Sequence, residues 1–203
     1  MRSLFLAISL TAALLALPVL AQAPQGTPTR IRGTVESLDG NTLMVKGRDG
    51  ADVKVALAPN VNVGTLVAKK LSDIKTGDFV ASTGRKGDDG KLHAVEIRIL
   101  PAALRSRIEG QTPWDLFPGS VMTNATVDGI ATASNGTTFK VSYKGETTEY
   151  VVTPDTPITA QVPGTIAMLK PGTAVVVFAL KKDDGTVTSA NVVAETNGVK
   201  LAM

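Results

Sequence analysis

Beyond residue 25 the apolar and polar positions alternate with a period of two, the signature of half-buried β-strands. Ile31, Gly33 and Val35 share one face, and Arg30, Arg32, Thr34 and Glu36 share the other. Asp39-Gly40-Asn41 is a turn signal, after which Leu43 and Val45 alternate with Met44 and Lys46. Asp49-Gly50 between apolar runs predicts a hairpin. Val53, Val55 and Leu57 then alternate with Asp52, Lys54 and Ala56, and Pro59-Asn60 predicts the end of that strand. Thr65 to Ile74 breaks the alternation and permits a short helix, or a strand followed by one helical turn. Asp78 to Thr83 and Lys91 to Leu100 are the next two strands, joined by the polar stretch Gly84 to Gly90. Parity places His93, Val95, Ile97 and Ile99 on one face of the last strand.

The second half repeats this plan. Asp88-Asp89-Gly90 matches Asp183-Asp184-Gly185 at an offset of 95, and Lys75-Thr76-Gly77 matches Lys170-Pro171-Gly172 at the same offset. Gly33-Thr34-Val35 matches Ala125-Thr126-Val127 at an offset of 92. Each half has five short strands with an irregular element between the third and the fourth. Such a sheet tends to curl and close, because closure removes exposed edges. The order is that of an OB-fold. The prediction is an all-β chain of two tandem OB-like five-stranded barrels, residues 29–100 and 122–196, with a linker at 101–121 and a tail at 197–203. Ala174 to Leu180 is apolar on both faces, which suits a central strand or one covered by the other barrel.

The linker holds AALRSRIEG, which suits a short helix, and then QTPWDLFPGS with Trp114, the only tryptophan. Trp114, Leu116 and Phe117 are expected to fill a seam between the barrels; the alternative is that they rim a ligand site. Asp115 turns or caps the chain beside the Trp. Phe139 and Tyr143 share the parity of Val141 and face a core, which leaves Tyr150 as the ring available for exposure. Trp114, Asp115, Phe117 and Tyr150 are therefore the candidate seam or ligand-site residues.

The first 23 residues read as a secretory signal: Arg2, an apolar run from Leu4 to Leu17, the helix breaker Pro18, and the small-x-small site Ala21-Gln22-Ala23. Cleavage after Ala23 would leave a periplasmic or secreted chain that does not span the membrane, since no later stretch is long and apolar enough. The formal charge of +3 falls by one when Arg2 is removed. A near-neutral, evenly spread charge argues against nucleic acid, which calls for a basic stripe. The absence of cysteine leaves buried area as the source of stability. Two units of roughly 70 residues can each support a small core.

R-I-R-G-T-V-E-x-L-D-G-N-T-L-x-V-K-x-R-D-G, over Thr29 to Leu100, resembles a family of exported bacterial proteins built on an OB-like domain of unknown function. The linker P-W-D-L-x-P-G-S-x-M-T-N-A-T-V, Pro113 to Val127, is similar to that of a two-domain subgroup with a divergent second copy. The resemblance implies a periplasmic location and a β-rich fold. It carries over no activity and no catalytic residue.

Catalytic patterns are missing. Nucleophilic hydrolysis needs Ser or Cys beside a base, but there is no cysteine, no G-x-S-x-G elbow, and His93 is the only histidine. Its parity makes it a partly buried strand residue. Zinc, copper and haem sites cluster His and Cys. Asp88-Asp89-Gly90 and Asp183-Asp184-Gly185 are the nearest calcium-like patterns, and hairpin turns use Asp and Gly for backbone reasons. Phosphate-loop glycine patterns are absent. Arg30, Arg32, Lys46, Lys54 and Arg98 form a basic strand face interleaved with Glu36, Asp52 and Glu96. The expectation is a non-catalytic exported accessory or binding protein, without cofactor or bound metal, acting on an unknown protein or envelope partner. The alternatives are a metal- or anion-responsive envelope protein using the acidic turns or basic face, and an OB module for oligosaccharide or nucleic acid.

Overall fold

The computed structural model describes residues 26–133 and 136–203; the expected leader lies outside the described residues. The strands run in the order β1 (Thr27–Asp39), β2 (Thr42–Gly47), β3 (Asp52–Lys69), β4 (Phe79–Lys86), β5 (Leu92–Ile99), β6 (Gly110–Pro113), β7 (Ser120–Ala133), β8 (Gly136–Tyr143), β9 (Glu146–Val152), β10 (Ile158–Pro163), β11 (Ala174–Lys181) and β12 (Val187–Ala194). One four-residue helix, α1 (Arg105–Ile108), and single 3-10 turns at Leu71–Asp73, Ala102–Leu104 and Ile166–Met168 lie between them. The chain is all-β. Among the described residues no helix is long and apolar enough to cross a membrane.

A closed five-stranded barrel is formed by β1, β2, β3, β12 and β11. β1 pairs antiparallel with β2 and with β11, β2 with β3, and β11 with β12. The parallel pair β3–β12 completes the circuit. Val35, Leu43, Val45, Val55, Val175, Val177 and Val192 fill its interior. These are mainly β-branched residues at alternate positions, which suit a pleated sheet closed on itself.

Five of the other strands, β7, β8, β9, β5 and β4, run in a second circuit of the same order. β7 pairs with β8, β8 with β9, β4 with β5, and β4 with β7. β9 meets β5 only at Leu92↔Tyr150 and His93↔Val151. Val80, Ile97, Val127, Phe139, Val141 and Tyr150 form the core here. The registers of the two circuits correspond. Thr34 faces Ala174 in one and Thr126 faces Phe79 in the other. Val63 faces Val192 in one and Ile158 faces Ile97 in the other.

One closed barrel per half of the chain was the expectation from sequence; the pairing differs. Each circuit takes three strands from one half and two from the other. The reason is the length of β3. Its 18 residues at roughly 3.3 Å each carry the chain out of the first barrel. Residues 58–61, including Pro59 and Asn60, are skipped by β12, whose register jumps from Leu57 to Asn62. Pro59 therefore marks an irregularity and not a strand end, since its missing N–H has no ladder bond to give up. Beyond it, Gly64–Lys69 pairs antiparallel with β10, and β10 pairs parallel with β5. β4 and β5 consequently land beside β7 and β9. The irregular element expected between Thr65 and Ile74 is the end of β3 followed by the turn at Leu71–Asp73.

β11 is apolar on both faces, but only its inner face and the start of its outer face are covered, and Phe178 stays exposed on the outside. Val175, Val177 and Ala179 point into the barrel, and Val176 packs outside with Leu66, Val193 and Leu201 of the C-terminal tail.

Candidate functional site

A cavity of about 730 Å³ opens at one end of the first barrel. Its apolar floor is Ile31, Val53 and Val187, half-buried residues packed on the barrel core. Its rim comes from the start of β1, the β2–β3 turn and the β11–β12 hairpin. Barrel mouths are common ligand sites because strand ends and hairpin loops converge there. Arg30, Arg32, Arg48, Lys54 and Lys181 supply the positive charge of the lining, and Asp49, Asp52 and Asp115 supply the negative.

The strap Trp114–Phe117 crosses this rim and is tied down at each residue. Arg32, with only 4% of its side chain exposed, places Nη2 3.1 Å from the Asp115 carboxylate, and its Nη1 donates to the Ala202 carbonyl at 2.8 Å. Arg30 lies 3.8 Å from the same carboxylate. Arg48 donates to the Asp115 carbonyl at 2.6 Å and to the Leu116 carbonyl at 3.3 Å. The Arg30 guanidinium stacks 4.1 Å above the Trp114 ring, a cation–π arrangement. Trp114 also packs against Phe79, Ala81, Leu100 and Met122, a cluster on the side of the second circuit. Arg85 of β4 stacks 4.2 Å over Phe117. The buried Ser120 hydroxyl lies 2.9 Å and 2.7 Å from the Trp114 and Phe117 carbonyls, closing the strap into a tight loop.

Trp114, Asp115 and Phe117 thus come together between strands of both circuits. Asp115 is an acceptor for two arginines, more than a turn residue. Tyr150 stands apart from them. Instead of an exposed ring it is a fully buried one, because it occupies in β9 the inward position that Val55 holds in β3. Its hydroxyl is bonded to Thr123 Oγ1 and donates to the Ser82 carbonyl at 3.3 Å. Burial pushes the Tyr150 pKa up to about 12, against the opposing effect of the Thr123 hydrogen bond.

At the corresponding end of the second circuit, side chains bond to one another across the strand ends. Thr123 and Thr148 stand where the first barrel has Ile31 and Val53. Gln111, on β6, donates to Thr123 Oγ1 at 2.8 Å and reaches Thr148 Oγ1 at 3.5 Å. Tyr143 lies 3.4 Å from Thr148 at the place where the open mouth has Gly47.

His93 also departs from its expected position. The β4–β5 register shifts between Thr83 and Gly84, so Val95 is the extra residue of a bulge and parity inverts across it. Leu92 and Ala94 face the core on one side of the bulge, and Ile97 and Ile99 on the other. His93 points outward, 42% exposed, and contacts Asp89 at 3.1 Å. Asp89 also accepts the Lys91 amide at 3.0 Å, and this bond above all holds its carboxyl below the usual aspartate range. Asp184 behaves alike through the Thr186 amide. Both aspartates act as turn acceptors. Among the described residues no cluster of three or more His, Asp or Glu is arranged to hold a metal ion.

The basic face read from sequence divides. Arg30, Arg32 and Lys54 meet at the mouth. Lys46 pairs with Asp52 at 2.7 Å, and Arg98 belongs to the second circuit, where it pairs with Glu96 at 3.2 Å. Sequence reasoning missed Arg48, Lys181 and Gln111. Arg48 and Lys181 flank the two turn signals Asp49-Gly50 and Asp184-Gly185, which is the one cue that they would meet at a barrel end. Comparison with protein-family models, with curated proteins and with solved structures gives no match.

Proposed function

We propose that this chain is an exported, non-catalytic binding protein of two OB-like barrels, one of the bacterial family that its sequence resembles. Its ligand enters the mouth of the first barrel. The observation that carries this reading is the contrast between the two barrel ends. One is bridged by the bonded side chains of Gln111, Thr123, Thr148 and Tyr143. The other is an open, positively rimmed cavity over an apolar floor. The lining supplies five cations, the three carboxylates of Asp49, Asp52 and Asp115, and backbone groups, with no Ser, Cys or His among them, which supports holding a ligand over transforming one.

A thermal-shift panel of envelope metabolites and peptides tests the reading, because a ligand that binds only the folded state raises the melting temperature saturably. At least one compound should raise it, without turnover, and the rise should vanish in Val53→Phe, which fills the floor. Turnover, or a shift that Val53→Phe leaves intact, would contradict it.

A further inference from the structure

The mouth is bordered by a strand edge that a further strand pairs with in one barrel and that, among the described residues, no strand pairs with in the other. On β7, Val121 to Asn124 pairs with β4 on one side and with β6 on the other. The matching segment of β1 is Thr29 to Arg32. It pairs with β11 on one side, while its pairing with β2 begins only at Gly33↔Gly47. The free side of this segment looks into the cavity, which Thr29, Arg30, Ile31 and Arg32 all line. The Arg32 carbonyl turns to that side, where it accepts the Arg48 amide at 2.9 Å. The period of two aims the backbone N–H and C=O of Arg30 the same way. Unpaired strand edges are templates for another strand.

The charge around this edge selects the incoming strand. Among the described residues the Arg48 side chain bonds only backbone carbonyls of the strap. Lys54 and Lys181 pair with no carboxylate among the described residues. Asp49 is engaged by the Ala51 amide at 3.1 Å and Asp52 by Lys46. The lining therefore keeps an excess of positive charge. On the other barrel the added strand β6 extends Gln111 across the mouth. A strand added here would extend its own side chain over Arg48, Lys54 and Lys181, where a carboxylate is favoured.

We propose that β1 binds an extended, acidic segment of a partner protein, which adds antiparallel along Thr29–Arg32 as β6 adds to β7 and lays a Glu or Asp side chain into the mouth. This rests on the reading of the mouth as the binding site and names its occupant.

The test uses a fluorescein-labelled six-residue peptide of alternating Val and Glu, followed by anisotropy with the whole protein. Controls are the Val and Lys peptide, and the acidic peptide N-methylated at every residue, which keeps its charge but cannot donate to a strand. Saturable binding of the acidic peptide is expected, with slowed amide hydrogen exchange at Arg30. Binding should be at least tenfold weaker for both controls, and at least tenfold weaker in the Lys54→Gln, Lys181→Gln double variant. That variant changes exposed side chains only, so its fold is checked by an unchanged melting temperature. Equal binding of the N-methylated peptide, or none by any peptide, would overturn the inference. The mouth would still stand as a binding site if the thermal-shift panel finds a ligand sensitive to Val53→Phe.

Discussion

Leu66 and Gln161 face each other across the antiparallel pair of β3 and β10, 95 positions apart in the chain. That separation is the offset at which the Asp-Asp-Gly turns and many other residues of the two halves correspond. The two residues are thus equivalents paired with one another. Around them Val67 faces Ala160 and Thr65 faces Val162. The same segment of each half meets its counterpart about a local two-fold axis, and each half passes its last two strands across it.

Tyr150 makes the second core sensitive to high pH. Its pKa lies near 12 in the folded chain and near 10 when unfolded. Between these values the unfolded state releases a proton that the folded state retains. Stability should be intact below about pH 10 and fall by up to about 3 kcal/mol by about pH 12. Urea melts of the protein and of Tyr150→Phe from pH 8 to 12 check this. The variant should start about 1–2 kcal/mol less stable, having lost the bonds to Thr123 and Ser82, and should show a shallower decline.

Asp115 holds the strap through its carboxylate. Asp115→Ala leaves the buried Arg32 guanidinium with the Ala202 carbonyl as its remaining hydrogen-bond acceptor, beside the Trp114 ring. A stability loss of about 1–3 kcal/mol is expected, with Asp115→Asn recovering part of it. Trp114, the sole tryptophan, reports the change directly, and its emission should shift to the red as the strap loosens. An unchanged spectrum and melting temperature would show that the ion pair does not hold the strap.

The tail acts as a cover. Leu201→Ala removes the side chain that closes over Val176, Val193 and Leu66 and should cost about 2–3 kcal/mol. Met203→Ala, at an exposed terminal residue, should leave the melting temperature unchanged in the same calorimetric scan.

Much of the local structure was legible in the sequence because alternation reports which side chains face a core. The strands around Leu43, Val55 and Val141, the hairpin at Asp49-Gly50 and the turn at Asp89-Gly90 stand where the pattern puts them. Alternation does not report which strand lies alongside. Val175 and Val177 of β11 present β1 with the same kind of inward face that Val80 and Ser82 of β4 would present. Local pattern therefore cannot distinguish a half closed on itself from one closed on its counterpart. The length of β3 decides it, and Pro59 disguises that length. His93 was misplaced by one bulge, since a single extra residue inverts parity from there on. Of the candidate site, the strap was readable from Trp114 and its flanking prolines. The open mouth was not, because its rim gathers residues from β1, the β2–β3 turn and the distant β11–β12 hairpin.

Cutting the chain between its halves tests the exchange of strands between the two circuits most directly. A specific protease site placed at Ser106–Arg107, both exposed in α1, separates β1–β5 from β6–β12. Since each circuit contains strands of both fragments, the cleaved protein should elute at the size of the intact chain, melt in a single transition and come apart only in denaturant. Two fragments that separate without denaturant, each folded and rich in β-structure, would contradict the account.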